Sequence, residues 1–175
     1  MAKTTSVSIN RQNEIISAAI EVFAEMGYYR ATTAKVAERA SISQPYVFRF
    51  FATKEALLVE ALKVSFARIL ESFQQVIHSS PSEQLEQELI AAYSHIMVEY
   101  RNEILLQMQA QTIGEDVVVS VMQQGFREIQ STVYDAFRHA GIEHASQRTM
   151  LFLARGMLCN ISMSLDLPEL MKIDD

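Results

Sequence analysis

The sequence predicts an all-α chain: a three-helix helix-turn-helix module joined by one long helix to a C-terminal helical bundle. Three observations predict it. Apolar residues recur at the helical period almost end to end, and alternating strand patterns are nearly absent. Stop signals fall at Gly27, Pro81, Gly114, Gly141 and Pro168. Between residues 27 and 55 lie two very short helical patterns, each with its own capping residue, followed by a cluster of aromatic side chains.

The first helix is expected over roughly 9–26, with Ile15, Ala19, Val22, Phe23 and Met26 on one face and Gly27 as its stop. Thr32 is the N-cap of a helix over roughly 33–39, where Ala34, Val36, Ala37 and Ala40 form a face small enough for close approach. Ser41 and Ile42 make the turn, with Ile42 as an apolar plug. Ser43 caps a helix over roughly 44–50 whose first turn holds Pro45, where the missing N–H costs nothing. Thr53 caps a long helix over roughly 54–78, a rod of about 36 Å at 1.5 Å per residue. Ser80, Pro81 and Glu83 read as a capping box that starts a helix running to about residue 100. Further helices are expected over roughly 102–111, 115–139 and 144–166. The boundary between the parts, 1–53 and 54–175, therefore falls within a continuous helical connection.

The short pair of helices points to DNA. In a helix-turn-helix the first residues of the second helix meet base edges in the major groove. Here those residues are Ser43, Gln44 and Tyr46, with Arg49 beyond. Gln44 can read adenine through a bidentate pair. Thr33, at a helix N-terminus, and Lys54, which opens the long helix, are candidates for phosphate.

The order and spacing of these residues resemble the tetracycline-repressor (TetR) family. The resemblance rests on Arg11, Ile15 or Ile16, Ala18-Ala19, Phe23, Gly27-Tyr28, Thr32-Thr33, Val36-Ala37, Ser43, Phe48, Phe51 and Lys54-Glu55, and covers roughly the first third of the chain. Two positions depart from it. The family usually has Gly where this chain has Pro45, and a phosphate-contacting Tyr where it has Phe48. Phe48 has no hydroxyl, which leaves that contact to Tyr46 or Arg49.

Charge supports the division. The chain is acidic overall, net −6, but unevenly so. Residues 1–54 hold seven Lys/Arg and four Glu, a net of +3; residues 55–175 hold eight basic and seventeen acidic residues, a net of −9. A basic head on an acidic body concentrates phosphate attraction on one face. The absence of an apolar run of membrane-spanning length and the polar N-terminus lead to a cytoplasmic expectation. The lone Cys159 rules out an internal disulfide and a Cys-based zinc site, and it reads as a buried, inert thiol. No Gly-rich phosphate loop, paired metal-ligating His or nucleophile signature is present, so no enzyme, metal or cofactor is expected.

The body is expected to sense and to dimerise. Tyr93, His95, Met97, Tyr100, Met108, Met122 and Phe126 form a Met- and aromatic-rich set that suits either ordinary core or an adaptable apolar cavity. The family resemblance places an inducer pocket among these middle helices. It also implies dimerisation through the last two helices as a four-helix bundle. The candidate residues are Phe126, Ile129, Val133 and Phe137 on one helix, with Met150, Ala154, Met157, Leu158 and Ile161 on the next. The function expected is that of a homodimeric repressor, released from a palindromic double-stranded operator by a small hydrophobic inducer. The alternative is a DNA-binding regulator without a ligand, controlled by a protein partner; a fully packed body would favour it.

Overall fold

A computed structural model describes residues 2–172, with side chains from residue 9 onward. Eight α-helices follow one another among these residues: α1 (Ala2–Met26), α2 (Thr33–Arg39), α3 (Gln44–Phe48), α4 (Lys54–Ser79), α5 (Leu85–Glu99), α6 (Arg101–Ala110), α7 (Asp116–His139) and α8 (Ala145–Leu165). A short 3-10 turn, Pro168–Met171, closes the described chain. The all-α expectation holds. α4 is the hub: it packs on α1, α5, α6 and α7, while α7 pairs with α8 and α1 also rests on α6.

Local chemistry explains most boundaries. The Thr32 hydroxyl accepts from the Lys35 N–H at 3.2 Å, and the Thr53 hydroxyl accepts from the Ala56 N–H at 3.0 Å, so both expected caps form. α2 ends in a Schellman motif: the Ile42 N–H donates to Ala37 O at 2.9 Å and the Ser41 N–H to Glu38 O at 3.1 Å. Ser41 takes the left-handed conformation there, φ 54°, where Gly is usual. Ile42 then tucks against the core as the plug between α2 and α3.

Three expectations shift. α1 begins at Ala2, about two turns earlier than its apolar face suggested. Ser43 holds the N-cap position of α3, but its hydroxyl makes no cap bond. The capping box at Ser80 does not form. Ser80 instead ends α4, its N–H donating to Val76 O at 2.9 Å, and residues 81–84 make a tight turn before α5 starts at Leu85. The Gln84 N–H is satisfied by Pro81 O at 3.0 Å, so an i→i+3 bond does what the side-chain cap was expected to do.

One hydrophobic cluster runs from Ile15 and Phe23 of α1, through Leu57, Leu62, Phe66 and Phe73 of α4, to Phe137 and Phe152 of α7 and α8. α4 and α7 pack tightly at Gly125, where a Cβ would lie 2.4 Å from the Phe66 ring. Among the described residues no helix is long and apolar enough to cross a membrane.

Candidate DNA-binding head and body cavity

The head is α1–α3. Arg39 clamps α2 to α1 through Glu21 at 2.7 Å and Glu25 at 2.7 Å, which holds the Glu25 carboxyl below its ordinary range. Arg11 pairs with Glu14, and Lys35 with Glu38. These pairs use up much of the positive charge counted from sequence. Arg30 and Arg49 have no carboxylate partner among the described residues, and both are exposed. Arg30, in the α1–α2 loop, was not singled out in the sequence; its lack of an acidic neighbour at helical spacing was the available signal.

The six expected DNA-facing residues differ in their freedom. Ser43 is exposed, with a hydroxyl that caps nothing. Gln44 is exposed at the start of α3, and its Nε2 donates to the Thr33 hydroxyl at 2.9 Å. Thr33 is buried, so its side chain anchors Gln44 and only its backbone N–H is left to offer a phosphate. Tyr46 packs edge-on against Phe50, 5.4 Å between centroids, and Arg49 lies over the Tyr46 ring at 5.1 Å. Lys54 turns inward. Its ammonium donates to Tyr28 O at 2.8 Å and Ala31 O at 3.1 Å, over the Tyr28 ring at 4.4 Å, which leaves one N–H uncommitted. At the end of α3 and just beyond it, Val47 and Phe51 are buried, but Phe48 is 47% exposed on the outside of the head.

In the body, a cavity of about 300 Å³ lies between α4, α5, α7 and α8, touching α6 through Gln107. Phe73, Phe126 and Phe152 form much of its apolar wall. Tyr93 donates to Asn160 Oδ1 at 2.7 Å, and burial, only partly offset by that bond, pushes its phenol pKa up to about 12. Gln107 is 7% exposed, and its Nε2 has no hydrogen-bond partner.

Of the seven expected ligand residues, Tyr93 and Phe126 line this cavity. His95 does not: two residues beyond Tyr93 is about 200° around the helix, and His95 is exposed. Met97, Tyr100 and Met108 pack against the core outside the cavity, and Met122 is buried beneath a separate shallow depression with Ile113 and Val119. The polar lining residues Gln107, Arg127, Gln130, Arg155 and Asn160 were missed. Gln107 carried a signal, as a lone amide within the run Ile104-Leu105-Leu106-Gln107-Met108.

The expected dimer face also divides. On α7, Ile129, Val133 and Phe137 are buried within the chain and Phe126 packs edge-on against Phe66 at 5.4 Å. That stripe faces the protomer's own core. On α8, Met150, Leu158 and Ile161 are exposed, with Leu151 and Leu165 extending the same apolar strip; Ala154 is exposed and Met157 half-buried. Cys159 is buried, and burial raises its thiol pKa.

Residues 15–61 match the family model for bacterial regulatory proteins of the tetR family. Over those residues the chain is similar to regulators of the tetR family. The HTH-type transcriptional regulator HbdR of Aromatoleum sp. (strain CIB) is 34% identical over 67 residues, which is 38% of this chain and 28% of that protein. The chain thus matches less than a third of HbdR's length. The HTH-type transcriptional regulator BetI of Escherichia coli O157:H7 is 24% identical over 149 residues, 82% of this chain and 76% of BetI. Among solved structures, the transcriptional regulator FadR from Bacillus subtilis in complex with stearoyl-CoA superposes with a TM-score of 0.73 at 18% identity, covering 87% of each chain. At that identity the likeness is one of fold. The comparisons thus give a tetR-type head on a fold that such regulators share.

Proposed function

We propose that this protein is a homodimeric repressor of the TetR family that occupies a palindromic operator and leaves it when a small molecule enters the body cavity. The observation that carries the reading is the pairing of a helix-turn-helix head with a body that encloses about 300 Å³ of largely apolar space. Such a space supports this reading over that of a ligand-independent regulator, which a fully packed body would suit. FadR of Bacillus subtilis, similar in fold, is described in complex with stearoyl-CoA, which supports a small-molecule ligand for this chain.

In this reading, residues 1–53 are the reading module and 54–175 the ligand and dimerisation body. Gln44 reads a base, with Tyr46 beside it. Ser43, Arg49, Arg30 and the α2 N-terminus at Thr33 hold phosphates, and Lys54 fixes the loop that carries Arg30. The partner is a second copy, docked through the exposed strip Met150, Leu151, Ala154, Leu158, Ile161 and Leu165 of α8. Apolar side chains in such a row are left without cover in a monomer.

The experiment is selection of bound sequences from random double-stranded DNA by the purified protein, followed by titration of the selected site. The expected result is an inverted repeat whose half-sites lie about one helical turn, roughly 34–36 Å, apart or at a wider operator spacing. It should be bound by an even number of chains. Recovery of no common sequence, or of an asymmetric site bound by one chain, would overturn the proposal.

A further inference from the structure

The body cavity offers a ligand one-sided chemistry. Its lining contains no Asp or Glu. The Tyr93 hydroxyl is spent on Asn160 Oδ1 at 2.7 Å. Apart from the exposed amide of Gln130, which can donate or accept, what remains for a ligand is mainly donors. Gln107, more than nine-tenths buried, holds an amide nitrogen with no acceptor. Arg127 and Arg155 bring two guanidinium groups that have no carboxylate partner among the described residues. Arg127 donates only to the neutral Gln123 side chain at 2.9 Å. A buried amide without a partner is costly to keep, and an apolar neighbour of the same size would remove that cost.

From this inventory we infer that the cavity selects an anionic aliphatic amphiphile. Its chain lies along the Phe73, Phe126 and Phe152 wall, its carboxyl-type oxygen accepts from Gln107 Nε2, and its charge is met by Arg127 and Arg155. The inference rests on reading the cavity as the ligand site, and it specifies the class of ligand. Aromatic walls by themselves would also suit a cation. Two guanidinium groups at its solvent-exposed rim, with no carboxylate among the lining residues, disfavour one there.

A space of about 300 Å³ holds about ten groups at roughly 30 Å³ each. Decanoate is therefore the probe, with 1-decanol and decyltrimethylammonium as partners of equal chain length. Each is titrated calorimetrically into the full-length protein, without DNA and below its self-association concentration. Decanoate should bind saturably at one per chain, 1-decanol at least about ten-fold more weakly, and the cation not at all. Gln107→Leu should weaken decanoate about ten-fold or more while leaving the melting temperature of the free protein unchanged or higher, as expected when an unsatisfied amide is removed. Gln107→Met serves the same purpose with an unbranched chain should the Leu variant fold poorly. Arg127→Ala combined with Arg155→Ala should erase most of the preference for decanoate over 1-decanol.

Equal or tighter binding of the cation would overturn the inference, as would no saturable binding of decanoate or an affinity unmoved by Gln107→Leu and Gln107→Met. The outcome is separable from that of the repressor reading. Decanoate that binds but leaves operator occupancy unchanged would remove ligand release and keep the anion-selective cavity. A cation that binds and releases the operator would do the reverse.

Discussion

Replacing Thr33 with Val should alter base discrimination at a position that Thr33 itself does not touch. The Gln44 amide donates to the Thr33 hydroxyl at 2.9 Å, from an exposed side chain to a buried one. One N–H is thereby committed. Oε1 and the second N–H remain, which are the acceptor and donor that adenine N6 and N7 require. Val keeps the shape of Thr and removes the acceptor, so Gln44 would have to be ordered on binding. Ordering one such side chain costs roughly 0.5–1.5 kcal/mol. In a symmetric dimer the cost falls twice, so operator affinity should drop by roughly 1–3 kcal/mol, about 5–150-fold. The assay is fluorescence-anisotropy titration of the selected operator and of single-base-pair variants, for Thr33→Val, Gln44→Ala and both together. Both single variants should lose discrimination at the same base pair, the pair should cost little more than Gln44→Ala alone, and Thr33→Ser should restore binding. Additive losses, or losses at different base pairs, would refute the anchoring role.

Three further outcomes are expected. Gly125→Ala puts a Cβ 2.4 Å from the Phe66 ring, and overpacking of about 1–3 kcal/mol should lower the thermal midpoint, read by circular dichroism, by roughly 3–10 °C; Phe66→Leu in the same chain should recover most of it. Lys54→Met should weaken operator and random DNA alike, because it frees the loop at Tyr28 and Ala31. The slope of log affinity against log salt should shrink by about one unit through the loss of the remaining N–H, and an unchanged slope would assign Lys54 wholly to the loop. Leu158→Glu with Ile161→Glu places charge in the exposed α8 strip and should give a folded monomer by light scattering; a persistent dimer would move the interface elsewhere.

Helix existence was legible in the sequence because capping chemistry is local. Thr32 and Thr53 state their roles within three residues, as does Gly27, which takes φ 76° at the end of α1. The Ser80–Glu83 signal misled because the same residues also suit the end of the preceding helix, and a tight turn satisfied the backbone first. Partners across the fold were less legible. The α7 stripe Phe126, Ile129, Val133 and Phe137 reads as an apolar face, but periodicity does not say whether that face meets its own chain or another. Residue type singles out Tyr93, Met97 and Met122, yet a cavity is fixed by where helices fail to meet. That depends on which turn of α5 lies opposite α8: Tyr93 reaches Asn160 there, and Met97 sits one turn beyond. Lys54 shows the same limit. Its position suggests a phosphate contact, and only the packing of the α1–α2 loop reveals two carbonyl oxygens competing for its ammonium.

A ligand in the body can change DNA affinity only through contacts that join body to head, and only if it binds two arrangements of them unequally. The continuous α4 is one such link, about 39 Å long at 1.5 Å per residue, with Lys54 gripping the head's loop at its first turn. It is not the whole connection. Arg68 of α4 donates to Ser17 of α1 at 3.1 Å and pairs with the buried Glu103 of α6. Gln109 of α6 donates to Ala24 O, in the last turn of α1, at 2.8 Å. α6 thus carries a cavity-facing amide at Gln107 and a head-facing amide at Gln109, two residues apart on one ten-residue helix. A displacement of the α6 backbone at Gln107 would be shared by Gln109, because helix hydrogen bonds tie the two backbone positions together. Cavity and head therefore meet through side-chain contacts a few ångströms long as well as through the full length of the α4 rod.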